Sequence, residues 1–287
     1  MSNLITLGGD LRASYSYTDV PHEKSSNAFD TGTIRVYLAA NIIPDHLLAY
    51  IDQSLGPGGS DNREAYARLQ TSAGRYYLKA GHLYLPYGLR LQDDTAFIRE
   101  VPGINYETPD NGAEIGWETP VWSTQLAISN GTGGGGENDS GKQYSLRTEF
   151  VQPVWRAGAS ANYNDSAAGQ RRMGNVFATL RTGPIVWLGE GDYLVDDGFP
   201  TGRRRQWAGL LEADWLILKG HNLKATGEYF DPDTRVDHDA QARYSLVYEY
   251  TPIRFLQVRA GARCYDGIPQ NDLQNRRTAF VELHAFF

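Results

Sequence analysis

The sequence is poor in the residues and segments that mark several common protein classes. It contains one cysteine, Cys264, and two methionines among 287 residues, which excludes a disulfide framework and a CxxC metal site. No segment approaches the roughly 18–20 consecutive apolar residues of a membrane-spanning helix, so a helical membrane protein is excluded as well. Lys and Arg total 27 against 34 Asp and Glu, for a net charge of −7. This acidic balance argues against a nucleic-acid partner.

Motifs for catalysis and cofactor binding are also missing. There is no Gly-x-Ser-x-Gly, no paired nucleophile and base, and no metal-ligand spacing among the six histidines. The four glycines at 133–136 lack the Lys-Ser/Thr of a phosphate-binding loop, and no CxxCH is present to attach haem. We therefore predict no enzymatic activity and no cofactor. Because no signal-peptide pattern opens the chain, we expect Met1 to be a start residue placed before a mature sequence.

What the sequence has in quantity is turn-forming and aromatic residues: 31 Gly, 18 Tyr and 6 Trp, a composition that favours an all-β protein. Proline cannot donate to a β-ladder, and all 13 prolines lie in candidate turns or loops. Short turns centre near residues 44, 74, 120, 153, 184, 220 and 252. Between them lie longer polar loops at 19–27, 56–62, 84–110, 130–141, 165–171, 196–204, 231–240 and 266–275. Seven turns and eight loops make fifteen connections, which predicts sixteen strands.

The predicted strands alternate between an uncharged face and a face with several charges, as in 205–217 and 254–265. A soluble sandwich would bury the uncharged face, whereas a membrane barrel would turn it toward lipid. Two observations favour the barrel. The uncharged faces are rich in Ala, Gly and single Leu or Val, and all six tryptophans lie on them. Five of these tryptophans lie near short turns, as a membrane-interface girdle requires: Trp117, Trp122, Trp155, Trp187 and Trp215.

With these features the chain resembles a bacterial outer-membrane porin over its whole length, 1–287, as a single domain. The resemblance implies a closed antiparallel up-and-down transmembrane β-barrel of about 16 strands, with both termini in the periplasm and the eight longer loops outside. It further implies that the C-terminal Phe287, on an alternating strand, is the signal read by the barrel-assembly machinery. In porins the third extracellular loop is the longest and folds into the lumen, and here the third loop, 84–110, is the longest.

The porin interpretation assigns the charged faces to the lumen wall, where opposite charges on neighbouring strands either lace the wall with ion pairs or act on solutes. The wall residues are Arg12, Arg35, Arg68, Arg147, Arg243, Arg259, Arg263, Glu114, Glu118, Glu212 and Asp214. The loop 84–110 has two arginines against five acids, a net charge of −3, which predicts a weak cation preference. Its candidate constriction residues are Arg90, Asp93, Asp94, Arg99, Glu100 and Glu107.

The expected function is passive diffusion of small polar solutes and ions through the outer membrane. The alternative is a barrel sheath around a periplasmic or cytochrome partner in an electron-transfer complex. Expected partners are outer-membrane lipids and lipopolysaccharide, the latter at Arg203-Arg204-Arg205, with a trimer of this chain as a further alternative. Adjacent Asp93 and Asp94 either bind Ca²⁺ or form a turn, and turn formation is the more common use of such a pair.

Overall fold

In a computed structural model the chain forms one closed barrel of sixteen antiparallel strands. The structure describes residues 4–56, 59–137, 139–199 and 202–287. The strands of the first half are β1 (Ile5–Asp19), β2 (Ser26–Ile43), β3 (Leu47–Gly56), β4 (Gly59–Gln70), β5 (Tyr76–Leu83), β6 (Asp110–Glu118), β7 (Trp122–Ser129) and β8 (Gln143–Val151). Those of the second half are β9 (Trp155–Ser166), β10 (Gly169–Thr182), β11 (Ile185–Phe199), β12 (Gly202–Leu218), β13 (His221–Asp231), β14 (Gln241–Ile253), β15 (Leu256–Asp266) and β16 (Arg277–Phe286). The predicted all-β barrel with sixteen strands is thus confirmed.

The barrel closes between its first and last strands. Strand β1 pairs with β16 from Asp10 opposite Phe286 to Asp19 opposite Arg277. Beyond β16, the backbone N–H of Phe287 donates to the carbonyl of Gly9 at 3.1 Å, and that of Gly9 donates back at 3.2 Å. The Phe287 ring covers Gly9 so closely that an added Cβ would lie 2.5 Å from it. Glycine at this position therefore lets the last residue complete the ring of hydrogen bonds.

The connections lie where they were predicted, but several predicted longer loops are as tight as the short turns, so short and long connections do not alternate throughout. Strands β9 and β10 run to a two-residue hairpin at 167–168, inside the predicted loop 165–171. The third of the predicted longer loops is 84–109 rather than 84–110, because Asp110 already pairs with Leu83 in the β5–β6 ladder. Parts of three other predicted loops, at 57–58, 138 and 200–201, lie outside the described residues. Within the described residues, two short helical segments occur in connections: α1 (Phe97–Glu100) and a 3₁₀ turn (Asp272–Asn275).

Side chains alternate between the outer surface and the lumen along each strand. Adjacent Leu210 and Leu211 show this directly, because Leu210 is 6% exposed and Leu211 is 61% exposed. The outer surface carries the apolar faces, with Leu11, Leu146 and Val281 each more than 40% exposed. Among the described residues, no helix has the length and apolar character needed to cross a bilayer.

Candidate functional site

The connection 84–109, hereafter the lumen loop, leaves β5 and packs inside the barrel against the far wall. Its first apolar residues, Leu85 and Tyr87, are 4% and 0% exposed. Together with Leu83 and Ile104 they contact three inward side chains of distant strands. These strand residues are Ala127 of β7, Met173 of β10 and Leu194 of β11. The apolar contacts remove both surfaces from water and fix the loop to this wall.

A second apolar cluster fixes the helix at the loop's centre. Phe97 and Ile98 of α1 are 7% and 1% exposed and pack on Ala208 and Leu210 of β12. The Phe97 ring also lies 5.7 Å from the ring of Phe230 on β13. The alternation predicts polar residues on the inward faces of these strands, but Ala208 and Leu210 are inward and apolar. The structure shows the physical reason for this departure. Where the loop covers the wall, an inward apolar side chain meets protein rather than water.

Polar contacts hold the loop between the two clusters. The Gly88 N–H donates to Ser160 at 3.1 Å, and the Gly88 carbonyl accepts from Arg147 at 2.8 Å. The next amide, that of Leu89, donates to the buried carboxylate of Glu190 at 2.6 Å. Gly88 has φ 56°, and an added Cβ would lie 2.2 Å from Glu190 Oε1. Only glycine satisfies both the left-handed backbone and this close approach.

At the turn formed by residues 93–95, Asp93 connects the lumen loop to strands β14 and β15. Its Oδ2 lies 2.7 Å from Arg263 of β15 and 3.5 Å from Arg243 of β14. Its Oδ1 accepts from the Thr95 hydroxyl at 2.6 Å and the Thr95 amide at 3.1 Å. Burial by itself raises the pKa of Asp93, but the two guanidinium groups outweigh it and hold the pKa below the usual 3.8. Asp93 is therefore ionised and fixed at neutral pH.

The neighbouring Asp94 faces the loop's own interior. It accepts from the Tyr106 amide at 3.1 Å and lies 3.7 Å from Arg99. Burial raises the pKa of Asp94 above its usual value. Because Asp93 and Asp94 point to different cations, their carboxylates do not form a Ca²⁺ donor set. No cluster of three metal-ligating side chains occurs in the described part of the chain; the Asp93–Thr95 bonds instead form a local turn.

Two of the candidate constriction residues, Arg99 and Glu100, lie away from the open lumen. Arg99 is 3% exposed and lies 5.0 Å from the centre of the Tyr106 ring, inside the loop. Glu100 is exposed at the end of α1 and lines neither of the two lumen cavities described below. The helix explains both positions, because it directs Arg99 back into the loop and Glu100 away from it. Glu107 remains at the lumen, 3.3 Å from Arg63 of β4.

The lumen remains open between the loop and the wall formed by β14–β16 and β1–β5, with Glu212 of β12 and Lys224 of β13 at its edge. A cavity of about 460 Å³, the aromatic cavity, is lined on the loop side by Tyr84, Arg90, Gln92, Asp94, Tyr106 and Glu107, and on the wall side by Asp10, Arg12, Arg35, Tyr50, Asp52, Arg63, Glu64, Tyr66 and Lys79. A cavity of about 340 Å³, the ionic cavity, is lined by Arg12, Leu91, Gln92, Asp93, Glu212, Lys224, Glu249, Gln257, Arg259, Arg263, Glu282 and His284. The two cavities share Arg12 and Gln92, and Arg12 Nη2 donates to Gln92 Oε1 at 3.3 Å. This hydrogen bond from wall to loop lies between the two cavities. Gln92 was not among the candidate site residues that the sequence predicted.

The predicted wall residues all lie on inward faces, and most are paired. Arg259 lies 3.1 Å from Glu249 and 2.8 Å from Glu282, on the strands to either side of it. The other contacts of this kind are Arg12–Asp10, Arg35–Asp52, Arg68–Glu118, Arg147–Glu149, Lys79–Glu114, Lys224–Glu212, Lys224–Asp214 and Arg243–Glu228. Most of the charged side chains of the wall therefore form ion pairs with one another. Arg147, Arg243 and Glu114 are at most 5% exposed, so these three contact protein rather than the open lumen.

The outer surface carries the tryptophans at its short-turn edge. Trp117, Trp155, Trp187 and Trp215 are 40–45% exposed, and Trp122 is half-buried against Phe150 at 5.9 Å between ring centres. At the opposite edge Trp207 lies 5.5 Å from Tyr229. Two aromatic rows thus bound the exposed Leu, Val and Ala side chains, as on surfaces that face a bilayer.

Comparisons with known proteins agree on the fold. No protein-family profile and no curated protein matches this sequence. Among solved structures, an anion-selective porin from Comamonas acidovorans is similar, with TM-score 0.79, 11% identity and 99% of each chain covered. OmpT of Vibrio cholerae, an outer-membrane protein described in a trimer form, has TM-score 0.75 and 11% identity over 99% of each chain.

The outer-membrane channel DcaP of Acinetobacter baumannii is also similar, with TM-score 0.67 and 12% identity over 99% of this chain and 97% of the other. At sequence identities this low, the structural similarity shows a shared fold and says nothing about shared chemistry. This chain has the fold of the bacterial outer-membrane porins.

Proposed function

We propose that this protein is an outer-membrane porin, a water-filled channel for passive diffusion of small polar solutes and ions. The observation that carries the proposal is the lumen itself. Inside a barrel with an apolar outer surface, the lumen loop leaves two adjacent cavities of about 460 and 340 Å³, lined by charged side chains. Such a lumen admits hydrated small molecules, while the loop excludes larger ones.

The proposal includes the placement of the barrel in the membrane. The exposed apolar faces lie in hydrocarbon, the aromatic rows lie at the two interfaces, and both termini face the periplasm. Phe287, which completes the β1–β16 seam, is the residue read by the barrel-assembly machinery. Lipopolysaccharide contacts the arginines at 203–205. Copies of the chain associate side by side, a proposal supported by the trimer form of a similar barrel.

The proposed selectivity is a weak preference for cations. The chain carries a net charge of −7, and its lumen loop has more acids than arginines. The preference is weak because both cavities are lined by equal numbers of acidic and basic side chains. A neutral lining leaves only the longer-range field of the loop and the chain to favour cations.

The sheath alternative is less well supported by the geometry. A periplasmic or cytochrome partner needs the space that the lumen loop occupies, and the two apolar clusters fix the loop in that space. Cavities of about 460 and 340 Å³ hold small solutes rather than a protein segment.

Purified protein in a planar lipid bilayer tests the proposal. We expect stable open-channel conductance in KCl and a small reversal potential of cation-preferring sign under a salt gradient. Absence of conductance combined with haem absorbance in the purified material would favour the sheath, and a clearly anion-selective reversal potential would overturn the proposed selectivity. Protein that stays monodisperse in buffer without detergent would contradict the membrane placement.

A further inference from the structure

The aromatic cavity contains one cation that differs from the others. Its five cationic side chains are Arg12, Arg35, Arg63, Lys79 and Arg90. The first four each have a carboxylate within 4.0 Å: Asp10, Asp52, Glu107 and Glu64, respectively. Arg90 has none within that distance among the residues that the structure describes. Its Nη2 donates instead to the neutral amide Oε1 of Gln125 at 3.3 Å.

The backbone of Arg90 is held in an unusual conformation. Its φ of 57° is left-handed, a region that residues other than glycine rarely adopt. The Tyr106 hydroxyl donates to the Arg90 carbonyl at 3.0 Å and so fixes this position within the loop. Strained residues of this kind concentrate at binding sites, where the surrounding structure holds them in a required orientation. Here the conformation places a guanidinium group at the cavity lining.

Aromatic rings surround the same space. Tyr84 and Tyr106 of the loop meet edge to face, with 4.8 Å between ring centres. Tyr50 and Tyr66 of the wall lie 5.2 Å apart. All four rings line the cavity and are only half-buried, so they offer faces and edges to a planar apolar group. The volume of about 460 Å³ lies within the roughly 300–1,000 Å³ of small-molecule pockets.

We infer that the aromatic cavity is a binding site for small aromatic carboxylates, with Arg90 as the residue that determines specificity. The Arg90 guanidinium donates to the carboxylate, a pairing that its planar fork fits better than a lysine would. The tyrosines contact the ring of the solute. The ionic cavity offers no equivalent site, because its described lining contains neither tyrosine nor an arginine without a carboxylate neighbour. The inference rests on the proposed channel function.

Block of ion current by benzoate tests this site in the full-length protein in a planar bilayer. At constant ionic strength, we expect benzoate to reduce the current at a lower concentration than either acetate, which lacks the ring, or benzyl alcohol, which lacks the charge. Arg90→Gln should raise the half-blocking concentration of benzoate about tenfold, the usual effect of losing one charge-assisted hydrogen bond. Arg90→Lys should retain part of the block.

A second variant leaves Arg90 in place and gives its guanidinium group a carboxylate partner. Gln125→Glu puts a carboxylate where Arg90 now meets an amide, and we expect it to weaken benzoate block as Arg90→Gln does. The matched control is Arg235→Gln, which removes an arginine that pairs with Asp233 in the connection between β13 and β14, away from both cavities, and should leave the half-blocking concentration of benzoate unchanged. Conducting channels with equal benzoate block in wild type, Arg90→Gln and Gln125→Glu overturn the inference alone. Wild-type protein that conducts no ions overturns the proposed function instead.

Discussion

Two sides of the same barrel use their inward faces in different ways. On β7–β13, the packed wall, inward Met173, Leu194 and Leu210 are at most 6% exposed beneath the lumen loop. On β14–β16 and β1–β5, the open wall, the inward side chains are mainly charged or tyrosine and line the two cavities, and Glu212 of β12 and Lys224 of β13 complete the ionic cavity. Both walls follow the same two-residue alternation. The difference shows that the loop decides whether an inward position requires apolar packing or polar pairing.

The charged side chains of the two walls also differ in what they bind. On the packed wall, Glu190 and Arg147 are used to bind backbone groups of the loop at 2.6 and 2.8 Å. On the open wall, Arg259 is paired with carboxylates of neighbouring strands. The first kind positions the loop, and the second compensates charge along the channel. The two walls should therefore respond differently to substitution.

Removal of the loop should have the largest effect. Deleting residues 87–108 uncovers the packed wall and merges the two cavities, so we expect conductance to rise roughly twofold or more, toward that of an unobstructed sixteen-strand barrel. Single-channel recording measures this directly. Deleting residues 135–136 in the glycine run serves as the control and should leave the conductance unchanged. An unaltered pore after the 87–108 deletion would show that this segment is not the constriction.

The next effect should come from the core of the packed wall. Leu210→Ala removes contacts with α1, and we expect it to lower the free energy of unfolding by about 2–5 kcal/mol. The matched variant is Leu211→Ala on the outer surface, where Leu211 is 61% exposed; it should lower that free energy by less than half as much. Denaturant unfolding in lipid vesicles compares the two. Equal losses would contradict the assignment of inside and outside.

A smaller effect should follow from releasing the loop's turn. Asp93→Asn removes the charge that Arg243 and Arg263 share, and we expect more frequent current fluctuations and a loss of about 1–3 kcal/mol in stability. Because the folded-state pKa of Asp93 is depressed, this stabilisation is complete above the usual pKa of 3.8 and is lost as the pH falls through the lower value. Wild-type fluctuations should therefore approach those of the variant only in strong acid.

The control for Asp93→Asn is Asp233→Asn. Asp233 pairs with Arg235 at 3.0 Å in the connection between β13 and β14, where Arg235 is half-exposed. Such a pair contributes little, so neither the current fluctuations nor the stability should change measurably. Fluctuations of Asp93→Asn that match the wild type at neutral pH would mean that Asp93 does not restrain the loop.

The smallest effect should occur on the open wall. Glu282→Gln removes one of the two carboxylates near Arg259, and Glu249 remains as a partner. We expect the reversal potential to shift slightly away from cation preference, with a stability change within about 1 kcal/mol. A shift toward stronger cation preference would contradict the proposed influence of wall carboxylates on selectivity.

Sequence reasoning reached the strands and their faces but not the contacts between distant segments. It assigned Arg259 and Glu212 to lumen faces and the tryptophans to outer faces, where the structure also has them, because alternation is a local property. It grouped Arg99 and Glu100 with the open lumen, although α1 directs both elsewhere. It also passed over Gln92, a neutral residue whose importance depends on meeting Arg12 from eighty residues away. Met173 and Phe177, two apolar residues on the inward face of β10, were the available sign of a covered wall.

The sequence by itself determined the sixteen strands, their connections and the direction in which each side chain points. These properties depend on turn residues and on a period of two, both of which are readable over about ten residues. Only the tertiary structure decided that 84–109 lies against β7–β13, that Asp93 joins Arg243 and Arg263, and that Arg90 has no carboxylate within 4.0 Å among the described residues. The reason is physical: packing and charge pairing act between groups brought together by barrel closure, and their separation along the chain carries no local signal.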